Sequence, residues 1–258
     1  MNYKYVIVTR EERLTIVTIN RPEAFNALNL GAHEELEAVF DDFAADPDQW
    51  VAILTGAGSK AFCAGHDLKQ QAAGGGLTTP KTGFAGLASR TGLVKPVIAA
   101  VNGIAMGGGF ETALACDILV ASEHAVFALP EPKVGLAALA GGIQRLPREL
   151  GLKQAMGMML TGRSVTAQQG FAMGFVNEVV SGDVLEAARR WAADILACSP
   201  LAVRATKEAI LKGLTEPIPD GMRDAWNYPA MSVMLASEDA AEGPAAFVAK
   251  RAPRWKGC

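Results

Sequence analysis

The 258-residue sequence predicts an α/β fold, and two patterns carry that class. Short apolar runs meet glycine-bearing punctuation and lead into a second apolar run three times: residues 51–55 with 61–63, 97–101 with 104–106, and 118–121 with 126–128. From residue 184 onward the text changes to longer stretches of helical period with helix-start signals. The three copies begin at Val51, Val97 and Ile118, 46 and then 21 positions apart. That spacing argues against a solenoid of fixed period and leaves stacked β-β-α turns open.

The elements follow in order. Residues 3–8 and 14–20 are β-rich runs on either side of the charged turn Glu11, Glu12, Arg13, which predicts an opening hairpin. Leu36, Val39, Phe40 and Phe43 recur at three- and four-residue steps, so residues 31–46 form an amphipathic helix that ends at Asp46-Pro47. Residues 70–91, rich in Gly, Ala and Thr, read as a mobile surface excursion lying over a site. Helices are predicted over 184–197, over 201–213 after the start signal Ser199-Pro200, and from Ser237-Glu238-Asp239. A boundary near 197 separates a β-containing core, 1–197, from a helical tail, 198–258. The tail carries Ala, Leu, Val and Met on several faces, so it needs a partner surface, and a homotrimer or hexamer is expected.

Half of the residues are hydrophobic, enough for one large core or two modest ones. A net charge of -3 gives no field that would concentrate nucleic acid or an anionic membrane, so neither is an expected partner. Cys63, Cys116, Cys198 and Cys258 lie far apart with no C-x-x-C pair and read as reduced thiols. The start of the chain alternates polar and apolar residues without an apolar signal core, and a cytoplasmic protein is expected.

Several familiar motifs are missing. There is no G-x-G-x-x-G, P-loop or G-x-S-x-G. His33-Glu34-Glu35-Leu36-Glu37 opens like a zinc-binding H-E-x-x-H helix but has Glu37 where the second histidine belongs, and reads as a solvated helix face. His66 and His124 lack partners at ligand spacing, so no metal is expected.

The chemistry-bearing stretch runs from Asn102 to Arg145. Gly107-Gly108-Gly109 leads into a helix start at Phe110-Glu111. Glycines there expose backbone N–H groups where the helix dipole also favours negative charge, which suits a developing oxyanion; a tight turn with close packing is the alternative. Glu111 lies among Phe110, Thr112, Ala113, Leu114 and Ala115, too apolar a segment for a surface helix. Its carboxylate therefore faces a cavity, a partner or backbone donors. Glu131 follows Pro130 where an apolar run gives way to a glycine-bearing loop, and by itself reads as a loop glutamate.

Residues 99–111, AAVNGIAMGGGFE, and 127–135, FALPEPKVG, resemble the two active-site segments of the enoyl-CoA hydratases of the crotonase superfamily. The likeness extends to residues 20–29, NRPEAFNALN; 61–69, AFCAGHDLK; 141–147, GGIQRLP; and 246–251, AFVAKR. It implies a spiral of β-β-α turns with a C-terminal helical trimerisation region, and no metal or organic prosthetic group. It implies a substrate that is an acyl-CoA thioester, bound between the backbone N–H groups of His66 and Gly108, which would form the oxyanion hole. Glu111 and Glu131 match the two carboxylates that place a water across the 2,3 double bond, giving syn addition of water or its reversal. Ala64, His66, Asp67, Leu68, Lys69 and Gly108 would line the coenzyme A site, Arg21 would approach its phosphates, and Phe247 and Lys250 match tail residues that approach the adenine end from a neighbouring subunit.

The likeness is also a departure. Many hydratases carry proline at the position of Ala138, and the ending 237–247 with 250–257 is similar to carnitinyl-CoA dehydratases, the same chemistry on a charged substrate. A Δ3,Δ2-enoyl-CoA isomerase needs one carboxylate and no bound water, and the presence of both glutamates speaks against it. Some relatives bind RNA, but the acidic balance and the lack of basic runs argue against a binding-only protein.

Overall fold

The computed structural model describes residues 3–70, 72, 74 and 78–258. Strands β1 (Val6–Glu11) and β2 (Leu14–Ile19) form the predicted antiparallel hairpin, with Glu11 opposite Leu14 across its tight turn. Helix α1 (Leu30–Ala45) starts at Asn29, whose side chain accepts the Ala32 N–H at 2.9 Å. Its inner face buries Leu36, Val39, Phe40 and Phe43, as their spacing requires. His33 corrects the expectation of a solvated face: it is fully buried on that same apolar side, while Glu34 is exposed and Glu35 and Glu37 are half-buried.

Each paired apolar run becomes two strands that part into different sheets. β3 (Val51–Gly56) is followed by β4 (Ala61–Cys63), the short helix α2 (Leu68–Gln70), β5 (Val97–Val101), β6 (Ile104–Met106), α3 (Gly108–Leu114), β7 (Ile118–Ser122) and β8 (Val126–Ala128). The first member of each pair enters a six-stranded sheet, and the second enters a four-stranded sheet. After the opening hairpin the large sheet is parallel, from β2 through β3, β5 and β7 to β10. Parallel strands covered on both faces are apolar throughout, and β3 and β5 are buried at every position. This is the stacked β-β-α spiral, and its successive turns bring the ends of β4, β6 and β8 side by side.

The rest is mainly helical: α4 (Gly142–Glu149), α5 (Leu152–Thr161), β9 (Val165–Thr166), α6 (Ala167–Met173), β10 (Glu178–Val180) and α7 (Val184–Leu196). They are followed by α8 (Pro200–Gly213), α9 (Ile218–Asp224), α10 (Pro229–Leu235) and α11 (Glu238–Val248). The large sheet carries one core on each face. The larger contains Phe40, Phe62, Phe110 and Phe127, and the smaller packs Ala187, Ala188 and Ala192 of α7 on Ile53, Ile98 and Val120. Beyond α7 the tail is held at buried Asp239, which accepts the Ser199 hydroxyl at 3.1 Å and the Lys256 N–H at 2.8 Å. Among the described residues no helix is long and apolar enough to cross a membrane.

The excursion over residues 70–91 is only partly as expected. Residues 71, 73 and 75–77 lie outside the described residues. Phe84, Ala85, Leu87 and Ala88 are not a surface segment but are buried. The Ala85 N–H donates to His33 Nδ1 at 3.1 Å, and Thr82 Oγ1 donates to Glu37 at 2.7 Å, which fastens this stretch to α1.

Candidate active site

The site forms where the strand ends of the small sheet release their chains. Gly65 follows β4 with a φ of +94°, and a Cβ there would meet Met106 O at 2.8 Å and Gly108 N at 3.3 Å. Only glycine fits, and its close approach sets residue 66 beside the start of α3. The Leu28 N–H donates to Gly65 O at 2.8 Å, and the Asp67 N–H donates to Leu28 O at 3.0 Å. Residue 66 lies between these two bonds, so its own N–H points away from Leu28. Neither the His66 N–H nor the Gly108 N–H has an acceptor among the described residues. Gly108 is the first residue of α3, where backbone donors have no partner inside the helix and the dipole favours negative charge.

Glu111 stands one turn along α3 and is 3% exposed. The Gly142 N–H, at the start of α4, donates to its Oε1 at 2.8 Å. Burial pushes the Glu111 carboxyl up to about 7, against the Gly142 hydrogen bond, and the Glu131 charge pushes the same way as burial. Arg145 of α4 pulls in the opposite direction, held with Nη2 donating to Ala88 O at 2.8 Å. Glu131 opens a short 3-10 turn (Glu131–Val134) after β8 and Pro130. Its Oε1 lies against Gly107, 3.0 Å from where a Cβ would sit, and its buried Oε2 has no hydrogen-bond partner. Burial raises this carboxyl as well. Two carboxyl groups with raised affinity for protons thus flank the start of α3, next to two unengaged N–H groups. Such a pair can hold a single proton at neutral pH and pass it in either direction.

The remaining predicted residues fall in two places. Asp67 ion-pairs with Arg21 at 2.9 Å, and Arg21 also donates to Ala27 O, so this guanidinium is already engaged at the base of the loop carrying Ala64, Leu68 and Lys69. Leu68 and Lys69 are exposed there, while Ala64 is half-buried. Phe247 and Lys250 stand exposed at the end of α11, whose packing partner is α10, and are not gathered with the glutamates in one chain.

Sequence reasoning missed three neighbours. Gly142 lies in the 141–147 stretch, whose sequence gives no sign that its N–H reaches Glu111. Phe84, whose ring would be 2.4 Å from a Cβ on Gly108, lies in a Gly- and Ala-rich stretch without period. His33 reads as a surface residue because Glu34, Glu35 and Glu37 surround it.

The chain matches the family described as enoyl-CoA hydratase/isomerase over residues 9–258. It belongs to that family. Carnitinyl-CoA dehydratase of Salmonella arizonae is 43% identical over 258 residues, covering 97% of each chain, and that of Proteus mirabilis is 42% identical over the whole of both. Among solved structures, enoyl-CoA hydratase of Mycobacterium tuberculosis superposes with a TM-score of 0.92 at 39% identity, covering 98% of this chain and 99% of that one. The enoyl-CoA hydratase of Mycobacterium marinum gives 0.92 at 40% identity, with the same coverage. The α/β spiral read from the sequence is therefore the fold of this family.

Proposed function

We propose that this protein adds water across the 2,3 double bond of a 2-enoyl-CoA thioester, or removes it from the 3-hydroxyacyl product. The observation that carries this reading is the pair Glu111 and Glu131, two carboxyl groups with raised proton affinity set beside the unengaged N–H groups of His66 and Gly108. The thioester oxygen accepts both N–H groups, which stabilise the negative charge it gains as water attacks C3. One carboxylate takes a proton from the water, the oxygen bonds to C3, and the other carboxyl delivers a proton to C2. An oxyanion donor of this type lowers a barrier by about 2.7 to 4 kcal/mol. Nothing in these steps needs a metal or organic cofactor. The coenzyme portion would pass Ala64, Asp67, Leu68 and Lys69, with Arg21 reaching phosphate only by loosening its pair with Asp67.

The tail beyond residue 197 is proposed as the surface for self-association. Its support is the exposure of Leu214, Ile218, Met222 and Trp226, each more than half open in the single chain. In such an assembly Phe247 and Lys250 could serve the adenine end of a neighbour's site.

A second reading has one specific observation behind it. Relatives named carnitinyl-CoA dehydratase are 43% identical over nearly the whole chain, which favours the same chemistry on a carnitine-derived acyl group. Turnover of crotonyl-CoA followed by loss of the enoyl-thioester absorbance tests the main reading. Conversion of a 3-enoyl-CoA to its 2-enoyl isomer without any hydration would overturn it.

A further inference from the structure

The direction of the Gly108 N–H is set by what packs around the first turn of α3. The Gly107 N–H donates to Ala128 O at 2.9 Å, and a Cβ on Gly109 would meet Cys63 O at 2.0 Å, so the backbone is held on two sides. On another side lies the buried ring of Phe84. Its Cζ and both Cε atoms stand 2.4 to 2.7 Å from where a Cβ on Gly108 would sit, so the ring bears directly on the Gly108 Cα.

Phe84 is placed in turn by a costly backbone. Gly83, Ala85 and Gly86 have φ of +82°, +55° and +67°. Glycine adopts this region freely, whereas alanine does so under strain and keeps it only where its surroundings fix it. The hydrogen bond at Ala85 is its N–H donating to His33 Nδ1 at 3.1 Å, and the same imidazole meets the Phe84 ring edge-on with centroids 4.4 Å apart. Beyond the bend, Arg90 donates from Nε to Gly86 O at 2.7 Å and from Nη2 to Glu37 O at 3.2 Å, which closes the segment onto α1.

For packing alone, histidine is a poor choice at position 33. Leu36 and Phe40 fill the same inner face of α1 with apolar atoms, whereas His33 is fully buried and its Nε2 has no partner among the described residues. An aliphatic side chain would avoid that unsatisfied nitrogen. What the imidazole supplies, and an aliphatic group cannot, is the acceptor that Ala85 uses. We propose that His33 is a positioning residue for the oxyanion hole: through Ala85 it seats the Phe84 ring on Gly108 and so aims the Gly108 N–H at the thioester oxygen. The inference rests on the hydration reading for the role of that N–H. His33 touches no reacting atom in this scheme, and its effect passes through Ala85 and Phe84.

The test uses three variants. His33→Leu removes the acceptor, and His33→Asn keeps one, with Oδ1 near the place of Nδ1. Phe84→Leu leaves the acceptor but ends short of the Cε and Cζ atoms that meet Gly108. Two quantities are read on each: kcat and KM for hydration of crotonyl-CoA, and the carbonyl stretch of bound butyryl-CoA labelled with carbon-13 at the thioester, by infrared difference spectroscopy. Hydrogen bonds from the oxyanion hole lower that stretch in the parent. In His33→Leu and Phe84→Leu, kcat should fall by about 10- to 100-fold, because a donor displaced by a fraction of an ångström loses part of what a deleted donor loses. KM should change by less than about threefold, since the interaction tightens in the transition state. The carbonyl stretch should move back towards its value in water, and His33→Asn should recover most of both losses. A residue that merely stabilises the fold would leave the stretch where it was. A folded His33→Leu with the parental stretch overturns the proposal, whatever its kcat, and so does a His33→Asn no better than His33→Leu. If the parent hydrates no enoyl-CoA, the hydration reading fails instead, and the stretch of bound butyryl-CoA still decides the positioning role. A parent that binds butyryl-CoA without lowering its stretch overturns both. If His33→Leu does not fold, Phe84→Leu with an unchanged stretch overturns the proposal in its place.

Discussion

The Gly142 N–H donates to Glu111 Oε1 at 2.8 Å across 31 positions of sequence, so the start of α4 supports the carboxylate that α3 presents. A backbone donor at a helix start favours the charged form, while burial favours the neutral one. Burial wins, and the carboxyl sits near 7, where it can gain or lose a proton at modest cost.

Glu111→Gln and Glu131→Gln should each lower hydration of crotonyl-CoA by about 100- to 10,000-fold, the usual worth of general acid-base assistance. The double variant should be little worse than either single one, because residues acting as a unit are not additive. Both single variants should still bind a product-like thioester by calorimetry. Near-parental hydration by Glu111→Gln, with Glu131→Gln inactive, would overturn the paired mechanism in favour of hydration through Glu131 alone.

Charge on Glu131 raises the Glu111 carboxyl, so Glu131→Gln should lower it from about 7, while the larger effect of burial keeps it above the ordinary 4.5. Carbon-13 NMR of labelled glutamate side chains reads that shift directly, and an unchanged or upward-shifted titration would contradict the coupling. In the parent, kcat should fall on the alkaline side as the pair loses its last proton, because C2 then has no acid.

The fold was legible where burial imposes a simple period. The paired runs became strands with nearly the expected limits, because a strand buried on both faces must be apolar along its length. The helices α4, α5 and α6 lacked so clear a signal: α4 holds Pro147 and buries little besides Leu146. Glu111 was legible as an ionisable group in an apolar segment, whereas Glu131 needed the family likeness, because one glutamate after a proline carries no geometry. His33 was misread because its burial is set by Phe84 and Ala85, some fifty positions away, and local acidic neighbours disguise it.

His66→Ala separates main chain from side chain in the oxyanion role. Alanine keeps the backbone N–H, so crotonyl-CoA hydration should fall by far less than the 100- to 1,000-fold typical of a lost oxyanion donor. A loss of that full size, in a folded variant that binds coenzyme A, would assign chemistry to the imidazole.

The exposed apolar residues of the tail predict an assembly at working concentrations. Light scattering should give the mass of a trimer or its multiple. Ile218→Asp, at a position 79% exposed in the single chain, should shift that mass downward while far-ultraviolet circular dichroism stays unchanged. A compact parental monomer at micromolar concentration would remove this reading.

The buried imidazole of His33 also makes a prediction about stability. Burial and the neighbouring His66 hold it down at about 4 in the folded chain, against 6.5 as the ordinary value. Between those limits the unfolded chain binds a proton that the folded chain refuses, so the contribution is intact above pH 6.5 and is lost as pH falls towards 4. The loss amounts to about 3 kcal/mol when complete, at roughly 1.36 kcal/mol for each pH unit of difference. Glu111 works in the opposite sense, since its raised value favours the fold on acidification, so the raw acid profile mixes both. Comparing variants isolates the histidine. His33→Leu has no proton to bind, and the difference in its urea-unfolding free energy between pH 7.5 and pH 4.5 should be smaller than the parent's by most of that amount. The Ala85 N–H that loses its acceptor is equally unsatisfied at both pH values, so it cancels from the comparison. An identical pH dependence in parent and variant would mean that His33 protonates as readily inside the fold as outside it.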